Sequence, residues 1–213
     1  MSRLFSRNPA FRGQLQLREV CLGFLWVVLA GLAQSQTYYS PQEVQVRGLP
    51  VLTASSDDPS DVLQASLATV VHKKSVCCGG ESALGDQVAK ADPLSLKDVA
   101  AKLSGRHLLS DGRSIRVAAE YLEPAAINSG MLINSLHDQL ALLMEWNSHL
   151  YICYGATYRR DYDASTGAEL YTILKFLLLD TRYYDSRRKV VFDRETDDWG
   201  KVQGMLRVTI SRR

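Results

Sequence analysis

The sequence is poor in cysteine and almost without net charge. Its 213 residues hold four cysteines and a formal net charge of +2. Four cysteines are too few for a disulfide scaffold, and a chain of this length can bury a core without such staples. Arg3, Arg7, Arg12 and Arg18 against Glu19 put +3 into the first 33 residues. The rest holds 21 basic and 22 acidic residues, a net −1. A near-neutral body lacks the clustered basic surface that nucleic-acid binding requires, so no nucleic-acid partner is expected. The sequence contains no GxSxG, no P-loop and no GxGxxG in its required setting. Zinc-type CxxC and HxxxH spacings are missing as well, and there is no internal repeat or low-complexity tract. What remains, with 46% hydrophobic and 23% charged residues, is globular composition.

The start of the chain reads as an address. Residues 1–19 are polar and basic, and residues 20–33 (VCLGFLWVVLAGLA) form an uncharged run of 14. That is short for a bilayer span of about 20 residues, and it fits the apolar region of a secretory signal followed by small residues. Cleavage is expected after Ala33 or Ser35. The expected product is exported, periplasmic or secreted, with no membrane contact after cleavage; the alternative is a tether through an uncleaved signal anchor. Cys21 lies at the start of the apolar run, which excludes a lipid-anchor role. The exported part keeps Cys77, Cys78 and Cys153. An odd number in an oxidising compartment leaves at least one thiol free within a chain, and a bridge between neighbouring cysteines would be strained.

Residues 34–66 read as an extended, turn-rich lead, with the folded domain over 67–213. Apolar positions at 62, 63, 67, 70 and 71 have a helical period, with a β-branched end that favours an extended exit. Residues 75–80 (SVCCGG) make a tight turn, and 82–91 favour helix. Ser95 with Asp98 resembles a capping box, and Leu96, Val99, Ala100 and Leu103 form one helix face that ends at Gly105. Ser110, Asp111 and Gly112 mark a turn. A strand over 114–122 and a helix over 124–137, with a break at Gly130, follow. Segments 140–146, 150–158, 170–180, 189–192 and 202–210 then read as strands. Helices first and strands after predict an α+β fold, with N-terminal helices packed on a C-terminal antiparallel β-sheet.

One set of residues can carry chemistry. Cys78 sits in a glycine-bearing turn before a helical pattern, where the positive end of the helix dipole favours thiolate. A thiolate nucleophile needs an imidazole within reach and a group that orients it. His149 begins a strand and Asp180 ends the next one, so adjacent antiparallel strands can hold imidazole and carboxylate side by side. Cys153 shares a strand face with His149 by period two and is expected in the core. His107 and His137 read as loop or helix-surface residues. Trp199 lies in a polar stretch, where it either borders a cleft or covers the sheet edge.

Residues 70–83 (VVHKKSVCCGGESA) resemble the nucleophile segment of papain-like cysteine peptidases. The branches most alike are the bacteriocin-leader-processing peptidases and the effector proteases of plant pathogens. A His leading a hydrophobic strand that ends in Gly resembles residues 149–155 (HLYICYG), and a following strand closing in Asp resembles 177–180 (LLLD). The resemblance spans about residues 68–182. It implies hydrolysis of peptide or isopeptide bonds in a peptide or protein substrate, without a cofactor. Cys78 would be the nucleophile, His149 the base and Asp180 the orienting group. The Gln that precedes the nucleophile in those families is absent. His72 stands six residues before Cys78 and can donate to an oxyanion beside the Cys78 backbone N–H. Cys77 competes with Cys78, and an Asp-Pro step is replaced by Asp180 and Thr181. Two other readings stay open: a catalytically silent papain-like fold used as an exported binding module, and a redox protein using the cysteine pair.

Overall fold

In the computed structural model, which describes residues 40–49, 51–75, 95–108, 114–163 and 165–212, helices begin where polar side chains cap them. Helix α1 is Pro59–Ser75. The Asp58 carboxylate accepts from the Ser60 backbone N–H at 2.8 Å, and Pro59 occupies a first position where no N–H is needed. The β-branched end of this helix does not turn extended. Val70 and Val71 are buried, and the Thr69 hydroxyl donates back to the Ala65 carbonyl at 2.8 Å. Tertiary burial overrides the weak local preference. Helix α2 is Leu96–Leu103. Ser95 Oγ accepts from the Asp98 N–H at 3.2 Å and donates to its carboxylate at 2.7 Å. Leu96, Val99, Ala100 and Leu103 are the buried face, as the spacing predicts. Helix α3 is Ser129–His137, capped by Asn128. The break expected at Gly130 falls earlier: Pro124–Ala126 is a separate 3-10 turn, and Asn128 is extended, with its Oδ1 accepting from the Met131 N–H.

The strands are β1 Gln42–Gln45, β2 Gly105–Leu108, β3 Ser114–Leu122, β4 Leu142–Trp146, β5 His149–Asp163, β6 Ala168–Leu179, β7 Lys189–Asp193 and β8 Val202–Arg212. They make one sheet in the order β2-β3-β8-β4-β5-β6-β7, and every pairing is antiparallel. β1 pairs with residues 155–158 of β5, on the edge that β4 leaves free once it has paired with 149–153. The class is therefore α+β with an antiparallel sheet. Its order is less segregated than expected, because β1 precedes every described helix, and β2 and β3 lie between α2 and α3.

α1 packs against β4, β5 and β8, α2 against β3 and β8, and α3 against β1, β5 and β6. A single apolar cluster joins them, with Leu132, Leu136, Leu142, Met144, Ile152 and Phe176 among its most buried members. Residues Ser40–Arg213 cluster as one compact unit. The boundary drawn at residue 66 falls inside α1, and the 34–66 segment supplies β1 to the sheet. The expected helix over 82–91 and the turn at 110–112 lie outside the described residues, as do residues 1–39.

Candidate active site

His149 is the first residue of β5 and follows a two-residue turn. Asn147 and Ser148 have φ of 53° and 61°, the left-handed pair that gives a β4–β5 hairpin the twist of its strands. Neither is glycine, so outside bonds hold the turn. The Asn147 N–H donates to the Lys201 carbonyl at 3.0 Å, and the Ser148 N–H donates to Gln203 Oε1 at 3.0 Å. Trp146 pairs with His149 across the hairpin, and its ring rests on Tyr151 at 5.7 Å and Phe192 at 4.9 Å. Among the described residues, Trp146 Nε1 is the one buried side-chain polar atom without a hydrogen-bond partner. The imidazole of His149 is exposed and meets the Tyr151 ring edge-on at 6.5 Å.

Asp180 follows the last residue of β6 and is buried. Its carboxylate is engaged by Arg182. Oδ1 accepts from the Arg182 backbone N–H at 3.0 Å and from Nε at 2.9 Å. Oδ2 accepts from Nε at 3.2 Å and from Nη2 at 2.5 Å. The remaining guanidinium nitrogen, Nη1, lies 3.2 Å from His149 Nδ1. Among the described contacts, no hydrogen bond joins His149 to Asp180 directly. Arg182 stands between them.

Strand register explains the insertion. Ile152 pairs with Leu179, so the register continued by three residues sets Arg182 opposite His149 and Asp180 opposite Tyr151. The electrostatics agree. The Asp180 carboxylate raises the Arg182 guanidinium above its ordinary range, chiefly through their hydrogen bonds. Burial first, and Asp180 second, raise the Tyr151 phenol.

The turn that carries Asp180 is fastened to α1. Thr181 is fully buried, and its hydroxyl lies 3.0 Å from Ser66 Oγ. The Thr181 carbonyl accepts from the Ala54 N–H at 2.9 Å. Leu52 N–H in turn donates to Thr69 Oγ1 of α1 at 3.0 Å. Helix α1 and the turn that holds the carboxylate are thus one packed unit.

The structure brings together His149 and Asp180, through Arg182. His72 lies in the last turn of α1. Cys77 and Cys78 lie outside the described residues. Cys153 is in the core as expected, with its thiol pushed up to about 12 by burial and donating to the Gly155 carbonyl at 3.6 Å. His137 is a helix-surface residue as expected, exposed at the end of α3, with its Nε2 3.1 Å from the Tyr158 hydroxyl. Trp199 packs over β6 and β7, stacked on Phe176 at 5.7 Å and edge-on to Phe192 at 5.8 Å, under the Arg194 guanidinium at 4.7 Å. Among the described residues no group of three or more His, Cys, Asp or Glu side chains is arranged to hold a metal. A cavity of about 260 Å³ lined by Gly105, Arg106 and Ile115 lies at the β2–β3 edge, four strands from β5.

Sequence reasoning missed Arg182 and Tyr151. A signal for Arg182 existed. The two bulges of the β5–β6 pair, at Tyr154 and Leu174, lie on opposite strands and cancel. Counting back from the turn at 165–167 therefore lands on residue 182 opposite His149.

The fold and site define an antiparallel α+β protein with an exposed imidazole wired through an arginine to a buried carboxylate. No protein-family model matches the sequence, and no curated protein matches it. Among solved structures, the chain is similar to UfSP from C. elegans, with a TM-score of 0.45 and 14% identity over 82% of this chain and 35% of the other. The match thus spans about a third of that chain, and at this level it decides neither fold family nor activity.

Proposed function

We propose that this chain is a papain-like cysteine hydrolase, acting on peptide or isopeptide bonds through Cys78, His149 and Asp180. One observation carries the reading. An exposed imidazole and a buried carboxylate share one end of the sheet, and the carboxylate's turn is packed on helix α1, whose last residue, Ser75, precedes Cys78 by three positions in the sequence. In the proposed reaction His149 takes the thiol proton, and the Cys78 sulfur attacks the acyl carbon. His72 and the Cys78 backbone N–H hold the oxyanion. His149 then gives the proton to the leaving amine, and water, deprotonated by the same imidazole, releases the acid from the thioester. Asp180 acts on the imidazole through Arg182. The protein is exported through residues 20–33, a reading that N-terminal sequencing of the product tests: it should begin at Gln34 or Gln36.

The second reading is a silent papain-like binding module. The guanidinium on His149 Nδ1 and the missing Gln favour it. Alkylation of the folded protein by iodoacetamide across pH 4–9, with mass mapping and His149→Ala alongside, separates the two. Fast labelling of Cys78 below pH 7 that slows in His149→Ala is the expected result. Labelling of Cys78 only near an ordinary thiol pKa of about 8.5, without dependence on His149, overturns the hydrolase.

A further inference from the structure

A neutral imidazole has one proton and one lone pair, and its chemistry as a base resides in that lone pair. A guanidinium has donors only. The 3.2 Å contact between Arg182 Nη1 and His149 Nδ1 is therefore a hydrogen bond in one direction: Nη1 donates and Nδ1 accepts. The proton of the imidazole then sits on Nε2, and the lone pair is occupied.

Arg182 is held firmly in this position. Its Nε and Nη2 are fixed by both oxygens of Asp180, its guanidinium lies 5.6 Å from the centre of the Tyr183 ring, and its side chain is 19% exposed. The bond to His149, at 3.2 Å as long as the Nε–Oδ2 contact, is the one at the solvent side. It can be given up while the Asp180 contacts stay.

We infer that Arg182 is a positioning residue that caps the basic nitrogen of His149, fixes the Nε2–H tautomer, and holds the imidazole off until Nη1 withdraws. The inference rests on the hydrolase reading for its functional meaning, and on geometry alone for the cap. When the cap is off, the thiol proton of Cys78 transfers to the freed lone pair, giving thiolate and imidazolium with no other bond changed. Asp180, left with the guanidinium's other nitrogens, keeps Arg182 beside the imidazole and lets the cap return.

The test is long-range ¹H–¹⁵N NMR of the full chain with ¹⁵N-histidine, in the wild type and Arg182→Lys, at a pH where His149 is neutral. Lysine keeps a cation on Asp180 but has a single nitrogen, which cannot span both Asp180 and Nδ1. The expected wild-type signature is a single Nε2–H form with a hydrogen-bonded Nδ1. In Arg182→Lys the signature should shift toward a mixture of tautomers, and Cys78 alkylation at pH 7 should rise on the order of tenfold, a modest part of what a general base contributes. A wild-type Nδ1–H form, or a signature unchanged in Arg182→Lys, overturns the cap. A shifted signature with unchanged alkylation supports the cap and removes the hydrolase reading. Should Arg182→Lys fail to fold, the wild-type signature still decides.

Discussion

Cys153 and His149 share a strand, yet burial gives them opposite fates. The Cys153 thiol is 1% exposed, and desolvation of its charged form pushes its pKa up to about 12. Thiolate is the reactive species, so Cys153 should resist iodoacetamide in the folded protein up to pH 9 and label only after denaturation. Mass mapping checks this. Labelling of folded Cys153 at pH 8 would mean that the β5 core opens readily. At this scale the sequence was partly legible. Period two puts Cys153 inside, and strand ends put His149 and Asp180 at the same end of the sheet. It did not show which side chain faces which. That depends on register, and a count from the turn gives it only because two bulges, which a periodicity cannot reveal, cancel each other.

The elements show why some patterns were easy and others not. α2 buries one face and exposes the other, so its apolar spacing and its Ser95 cap were plain. Over residues 60–71, α1 is buried nearly all round, with Ser66 and Thr69 as enclosed as its valines. Its pattern therefore lacked contrast, and its length beyond Val71 was missed. β5 owes its course to a residue without a side chain. A Cβ on Gly155 would lie 2.7 Å from the Val44 carbonyl oxygen and 3.0 Å from Leu177. The backbone of β1 approaches too closely for anything larger. Gly155→Ala should force β1 away from β5 and cost about 1–3 kcal/mol. A denaturant midpoint measures the loss, and hydrogen exchange should localise it to the amides of residues 42–46. The glycine that resembles a family motif thus has a packing reason in this fold. A stability equal to wild type would show that β1 tolerates displacement.

For the whole molecule, the question is where the folding unit begins. A boundary at 66 follows from composition, because residues 34–66 are rich in turn formers, and long-range pairing leaves no mark in local composition. The structure draws the residues before 67 into the core. Val44, Val46, Val62 and Leu63 are 5–9% exposed, Ser66 anchors the Asp180 turn through Thr181, and β1 completes an edge of β5. Full burial of such a side chain contributes about 1.5–3 kcal/mol. Four of them together rival a net stability of about 5–15 kcal/mol. A chain begun at Ser40 should therefore unfold in one cooperative transition, with near-ultraviolet circular dichroism reporting packed Trp146 and Trp199. A chain begun at Leu67 should lack that transition, and the loss should extend to the Asp180 turn, whose Arg182 would no longer hold the imidazole of His149. A cooperative transition in the chain begun at Leu67 would overturn this account and return residues 34–66 to the role of a dispensable lead.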